Sequence, residues 1–246
     1  MRIYVKNSKN VQLELSEYNG FALTDVQGLS PAPSNVNITK TAGGDGSIFN
    51  SAMIPQRNIV LTLYVLPNIE AHRNALYAFF APNSVITLLI STGTRTAQIS
   101  GVVESFDGTF FTAAEMFTIS ILCPQPFFEN QTAKTKALAA GSNTVTNSGD
   151  YACGFTASLT VAAGGSDVVI SDGVNAITID GDTLQTSDVL TISTVPGAVE
   201  VKKGTTNLVN LITLSGGFPK LSTGNNTITV TNAVGSMSYT ELYGGL

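Results

Sequence analysis

The chain has 246 residues, of which 43 % are hydrophobic and only 12 % charged, with a net charge of −5. That length suits one large β domain or two ordinary ones. The acidic balance and the lack of a basic cluster argue against sequence-specific nucleic-acid binding. Residues 1–128 hold seven Lys/Arg against eight Asp/Glu, and residues 129–246 hold five against nine. Ser, Thr and Asn supply much of the polar surface, which suits sheets that stack against partners. The start, MRIYVKNSKN, has no apolar signal core. No apolar run reaches the roughly 18 residues that a membrane span needs. Synthesis in a cytoplasm is the expectation, with Cys123 and Cys153 as free thiols.

Arg2–Lys6 and Val11–Leu15 alternate around Asn7-Ser8-Lys9-Asn10 and predict an opening β-hairpin. Phe21–Val26 and Val36–Thr41 read as further strands. Pro31 and Pro33 keep the loop between them out of any sheet. Gly43-Gly44-Asp45-Gly46 marks a sharp reversal, because glycine reaches positive φ cheaply. A phosphate loop would need Lys and a hydroxyl after the last glycine, and Ser47-Ile48-Phe49 follows instead. The stretch from Ser47 to Gln56 reads as irregular. Arg57 then leads into a strand, Asn58–Val65, with Ile59, Leu61, Leu63 and Val65 on one side.

Pro67-Asn68 opens the one convincing helix, with Asn68 as its cap, Ile69, Leu76 and Phe80 at helical spacing, and Pro82 as its stop. His72, the only histidine, has neither nucleophile nor orienting carboxylate in view and reads as structural. Strands follow at Val85–Ser91, Arg95–Glu104 and Phe111–Cys123, with turns at Thr92-Gly93-Thr94 and Asp107-Gly108-Thr109. In the last strand Phe117, Ile119 and Ile121 fall opposite Met116, Thr118, Ser120 and Leu122. Pro124-Gln125-Pro126-Phe127-Phe128 ends the pairing, and the domain boundary is placed just after Phe128.

The second half reads as short strands separated by turns. They are Asn143–Thr146, Phe155–Val161, Asp167–Ser171, Ala176–Ile179, Val189–Ser193, Ala198–Lys202, Thr227–Thr231 and Met237–Leu242. This pattern predicts an antiparallel β-sandwich. Asp180-Gly181-Asp182 lacks the further ligands of a calcium loop and reads as a turn. Asp172, Asp180 and Asp182 are the nearest carboxylates to a glycosidase pair, but all three sit in turns. No Trp is present to stack a sugar. The residues therefore suggest no catalytic, cofactor or metal site. A stand-alone carbohydrate-binding protein and a glycosidase remain as alternatives for the residues taken alone.

The order of features carries a resemblance. Gly44-Asp45-Gly46 precedes Arg57-Asn58-Ile59-Val60-Leu61. A helix with Arg73 and Leu76 follows, then Thr94-Arg95, then Cys123-Pro124-Gln125-Pro126-Phe127. In the second half come Asn147-Ser148-Gly149-Asp150, Gly181-Asp182-Thr183-Leu184 and Leu221–Ile228. This series resembles the distal tail proteins of long, non-contractile-tailed bacteriophages. The resemblance implies a mainly β fold. Residues 1–128 would be an N-terminal β-barrel or split-barrel-like, ring-forming, tube-like domain with one short helix. Residues 129–246 would be an antiparallel galectin-like β-sandwich. It also implies a hub of the virion tail tip without enzymatic activity. Six copies would form a ring that lets DNA pass and would meet the tail tube protein, the tail-associated protein and receptor-binding proteins.

On that basis Gly44, Asp45, Gly46 and Arg57 are the candidate oligomer-interface residues. The segment from Gly43 to Gln56 is expected to reach a neighbouring copy, with Arg57 anchoring its base. Residues 1–128 alone are expected to keep ring-forming contacts, and residues 129–246 alone to fold as a monomer.

Overall fold

The computed structural model describes residues 1–110 and 115–246. The chain divides into two compact units, residues 1–131 together with 243–246, and residues 132–242. The second unit is thus inserted in sequence into the first.

The first unit begins with β1 (Arg2–Asn7) and β2 (Gln12–Glu14), the expected hairpin, with Val5 opposite Leu13. β3 (Phe21–Gln27), β4 (Asn35–Lys40), β5 (Ser47–Met53) and β6 (Arg57–Val65) follow. After α1 (Ile69–Phe79) come β7 (Val85–Ser91), β8 (Thr96–Gly108), β9 (Glu115–Cys123) and β10 (Phe128–Asn130). The large sheet runs β2-β1-β7-β8-β9-β6-β3 and is antiparallel throughout. β10 joins it along β8, and the short β22 (Leu242–Tyr243) pairs with β10.

Strict alternation puts Ile59, Leu61 and Leu63 of β6, Phe117, Ile119 and Ile121 of β9, and Ile86, Leu88 and Ile90 of β7 into one core. Leu76, Phe79 and Phe80, at the end of α1, join that core. Of the expected barrel or split-barrel-like domain, a closed barrel is not formed among the described residues: β2 and β3 stand at opposite ends of the strand order of the large sheet. The helix offers one physical reason. With part of the apolar face covered by α1, the sheet need not close on itself to bury it.

Several boundaries move. The expected strand Phe111–Cys123 is observed from Glu115, and its first four residues lie outside the described residues. β8 runs through the expected Asp107-Gly108-Thr109 turn as far as Gly108, after a bulge between Val103 and Ser105. Asn68 occupies the cap position of α1, but with φ 74° and no side-chain capping bond. The expected boundary after Phe128 falls after Gln131. The reason is β10, in which Glu129 pairs with Gln98 and Asn130 with Ala97.

The second unit consists of β11 (Lys134–Leu138), β12 (Gly141–Asn147), β13 (Phe155–Val161), β14 (Val168–Ser171), β15 (Ala176–Ile179), β16 (Val189–Ser193), β17 (Glu200–Lys203), β18 (Thr206–Asn207), β19 (Ile212–Ser215), β20 (Gly224–Thr231) and β21 (Ala233–Tyr239). One sheet runs β11-β21-β13-β16-β17-β18 and the other β12-β20-β14-β15-β19. Leu159, Ile192 and Val201 of the first meet Val145, Ile170, Ile177 and Val230 of the second in one core. This is the β-sandwich that the alternation predicted.

Candidate assembly arm and its root

β4 and β5 form a two-stranded sheet of their own, outside the large sheet. The Gly43–Gly46 stretch lies in the reversal between them, with φ 74° at Gly43 and 99° at Gly46. An added Cβ at either glycine would meet nothing within 4 Å. Glycine is therefore required there by backbone conformation and not by space. The stretch from Ser47 was expected to be irregular, and it is a strand through Met53. A signal for this was present: strand-like Val36–Thr39 and Ser47–Phe49 flank a glycine turn, which is a hairpin pattern.

Every residue of the two strands is exposed. Val36 faces Ala52, and Ile38 faces Phe49 after a bulge that leaves Asn50 extra. Directly opposed residues share a face, so Val36, Ile38, Phe49 and Ala52 form an apolar patch on the face that also carries the Lys40–Ser47 pair next to the turn. Asn35, Asn37, Thr39 and Ser51 lie on the other face, together with Ile48 and Met53. The Asn50 amide donates to Thr39 Oγ1 at 2.6 Å and pins the bulge. Phe49 is 62 % exposed, and Val36 and Ile38 are each 55 % exposed. An isolated hairpin is marginally stable in water, and these apolar side chains stand exposed on it.

Arg57 is placed differently from the turn residues Gly44, Asp45 and Gly46. Those three are exposed at the tip, whereas Arg57 is buried at the start of β6. Its Nη1 donates to Gly28 O at 2.5 Å and Ser30 O at 2.6 Å, its Nε to Pro126 O at 2.7 Å, and its Nη2 to Gly244 O at 2.6 Å. Its guanidinium also lies 4.5 Å from the centroid of the Phe128 ring. Gly28 and Ser30 belong to the loop that leads into β4, so Arg57 fixes the root of the arm. The anchoring bonds expected of Arg57 exist, and they run to its own unit. Backbone acceptors leave no signature in sequence, which is why this set of partners was not legible there.

A second group of charges braces the helix. Arg73 Nη1 reaches Glu115 Oε1 at 3.1 Å and Oε2 at 3.0 Å. The His72 ring packs edge-on against Phe21 and lies 3.3 Å from Leu66 O through Nδ1, the structural role expected of it.

Of the carboxylates weighed for glycoside chemistry, those of Asp172 and Asp180 are engaged in holding turns. Burial alone would raise the Asp172 carboxyl, but hydrogen bonds from Asn175, Lys220 and Val174 outweigh it and hold it below its ordinary value. A general acid needs the opposite shift. Asp180 accepts from the Asp182 amide at 3.0 Å, an ordinary turn contact. No group of three or more His, Cys, Asp or Glu among the described residues is arranged to hold a metal ion. No helix among them is long and apolar enough to cross a membrane.

Comparison with known proteins gives three results. Residues 148–243 match the family model for the C-terminal domain of a siphovirus-type tail component. A comparison with curated proteins finds no match. Among solved structures, the SPP1 Dit (gp 19.1) protein superposes with a TM-score of 0.73 at 15 % identity, covering 98 % of each chain. Its structure is described as a paradigm of the hub adsorption apparatus of phages that infect Gram-positive bacteria. A chain of the phage p2 baseplate in its activated conformation with Sr matches with a TM-score of 0.51 at 11 % identity, covering 100 % of this chain and 99 % of that one. The family match is confined to residues 148–243, and the likeness to the two solved structures shows a fold shared along the whole chain.

Proposed function

We propose that the protein is the structural hub of a phage tail tip, in which six copies close a ring that joins the tail tube to the adsorption apparatus and lets DNA pass. The exposed amphipathic arm carries this reading. A hairpin with an apolar patch on one face and no cover among the described residues gains stability by packing on a neighbouring copy. A repeated head-to-tail contact of that kind closes into a cyclic ring. The fold likeness to an adsorption hub supports the setting.

The face of the large sheet turned away from the core supports the conduit. Ser120 Oγ bonds to Asn58 Oδ1 at 3.0 Å and to Glu104 Oε2 at 2.9 Å, and Thr87 and Ser100 pair through their hydroxyls at 2.9 Å. The stretch around Ser120 offers DNA phosphates little to hold, and the basic side chains of this face are confined, among the described residues, to its β1 side, where Arg2 and Lys6 lie opposite Ser91 and Thr87. The second unit, with its separate core, is left to hold receptor-binding proteins. The tail tube and tail-associated proteins take the two sides of the ring. Synthesis takes place in the cytoplasm of the bacterial host.

The test substitutes Ile38→Ser and Phe49→Ser together. Sedimentation over a concentration series should show self-association weakened at least tenfold, with melting shifted by no more than the equivalent of about 0.5 kcal/mol expected of an exposed site. Unchanged association would reject the arm as the ring contact. A stand-alone sugar-binding protein predicts instead a monomer at every concentration that binds glycans.

A further inference from the structure

The residues that close the first unit are not in the first half of the sequence. Tyr243, Gly244, Gly245 and Leu246 belong to that unit, although the whole of the second unit is made before them. Tyr243 is buried in the first core, and Leu246 packs against it. Arg95 lies 4.6 Å from the centroid of the Tyr243 ring and donates through Nη1 to Gly245 O at 2.9 Å. Asn130 Nδ2 donates to the Tyr243 hydroxyl at 3.0 Å. Arg57 Nη2 takes Gly244 O.

These contacts converge on the root of the arm. The Leu246 amide donates to Leu29 O at 3.1 Å. Gly245 lies so close to the same loop that an added Cβ would sit 2.9 Å from Pro31 Cδ and 3.0 Å from Leu29 O. The loop carbonyls of Gly28 and Ser30 are held by the same guanidinium that holds Gly244. The loop is therefore clamped between Arg57 and residues 243–246. Without those residues the buried Arg57 loses an acceptor, and Arg95 loses both the ring and the carbonyl it engages. A buried cation short of acceptors disfavours the ordered state.

We propose that Tyr243–Leu246 form a latch that fixes the root of the β4–β5 arm and makes self-assembly conditional on a chain whose second unit has already been made. A chain still emerging, or cut short within the second unit, would carry a first unit with a loose arm root and would not enter the ring. The assembly part rests on the ring reading above. The fixing of the arm root does not, and it is measured separately.

The experiment uses the full chain with Tyr243→Ala and Leu246→Ala combined, and with Leu246→Ala alone. The single variant removes only the apolar plug and keeps every backbone acceptor, so it reads the latch even if the double variant leaves the first unit unfolded. Hydrogen exchange is followed at residues 28–34 and 35–58, with β13, β16 and β21 as internal reference. Sedimentation gives self-association. The expected result is exchange at 28–34 at least tenfold faster in the double variant and several-fold faster in the single one. Association should weaken in the same order, with the reference strands unchanged. Arm-root exchange equal to that of the natural chain in the single variant overturns the latch. Faster arm-root exchange with unaltered association keeps the clamp and rejects its tie to assembly. A natural chain that never associates rejects the ring reading instead.

Discussion

Arg57 carries a full positive charge into a site where water reaches little of it, and it is held there by four backbone carbonyls. Hydrogen bonds to a charged donor contribute about 1.5–3 kcal/mol each, and leaving buried carbonyls unpaired costs about 1–3 kcal/mol apiece. Arg57→Ala is therefore expected to lower the stability of the first unit by at least about 3 kcal/mol in denaturant unfolding. Arg57→Lys should recover little of this, because a single ammonium cannot span a fan of acceptors. All the acceptors lie in Arg57's own unit, so melting falls along with assembly. That departs from the expectation of a loss mainly in assembly.

The two thiols make a second prediction at this scale. Both cysteines are free and buried. Burial pushes each thiol up to about 11, opposed at Cys123 by the Arg57 charge and reinforced at Cys153 by Glu241. A raised folded-state value means that the native state keeps protons which the unfolded state releases. Stability should accordingly be unaffected by these groups below about pH 9 and fall as pH rises from 9 towards 11. Alkaline melting curves of the natural chain and of Cys123→Ala/Cys153→Ala check this, and the loss should be smaller in the variant. Thiol titration of unreduced protein should find both groups once it is denatured and almost none while it is native.

At the scale of elements, the arm and the helix make opposite use of their side chains. β6 and β9 bury alternate residues to near-zero exposure, and α1 adds Leu76 and Phe79 to their core. β4 and β5 bury nothing. The arm's order thus comes from its ladder, its Asn50 bulge and its clamped root, and its apolar side chains stay exposed. α1 is fixed by a close approach: Gly20, at φ 87°, would place an added Cβ 2.2 Å from the His72 ring. Gly20→Ala is expected to cost about 1–3 kcal/mol from the left-handed backbone alone, with more from displacing the ring. Thermal melting of Gly20→Ala checks the cost. His72→Ala should relieve the steric part but not the backbone part, so the double variant should be less destabilised than the sum of the two singles.

For the whole molecule, the chain's path matters more than its halves. Residues 132–242 contain both sheets of the sandwich and a complete core, so this piece alone should fold as a monomeric β-sandwich with one cooperative melt. Light-scattering mass and a thermal scan test this. Residues 1–128 alone lack the paired part of β10, Glu129 and Asn130, and the Tyr243–Leu246 segment, so the expectation that they keep ring-forming contacts now needs a different protein. Joining residue 131 to residue 243 through a short flexible linker should give a folded first unit, whereas a fragment ending at 128 should melt at least 10 °C lower or fail to fold. Equal melting of the two would show that the returning segment contributes nothing.

The sequence by itself determined what depends on local pattern. Period-two alternation located β6, β13, β15 and β16 almost to the residue, because a half-buried strand must alternate to bury one face. The single helix, the sandwich and the Gly43–Gly46 turn followed from equally local rules. Polar β11, with four of its five residues exposed, gave no such signal and was missed; the backbone ladder with β21 orders it, with Leu138 in the core and Lys134 Nζ on Glu241 at its two ends. Tertiary structure decided the rest. Whether the large sheet closes depends on what α1 covers, and where the first unit ends depends on a strand that pairs with β8. Arg57's acceptors are carbonyls from positions 28, 30, 126 and 244, far apart in sequence and carrying no residue identity. A backbone oxygen is the same in every residue, so only the fold could bring those four to one guanidinium.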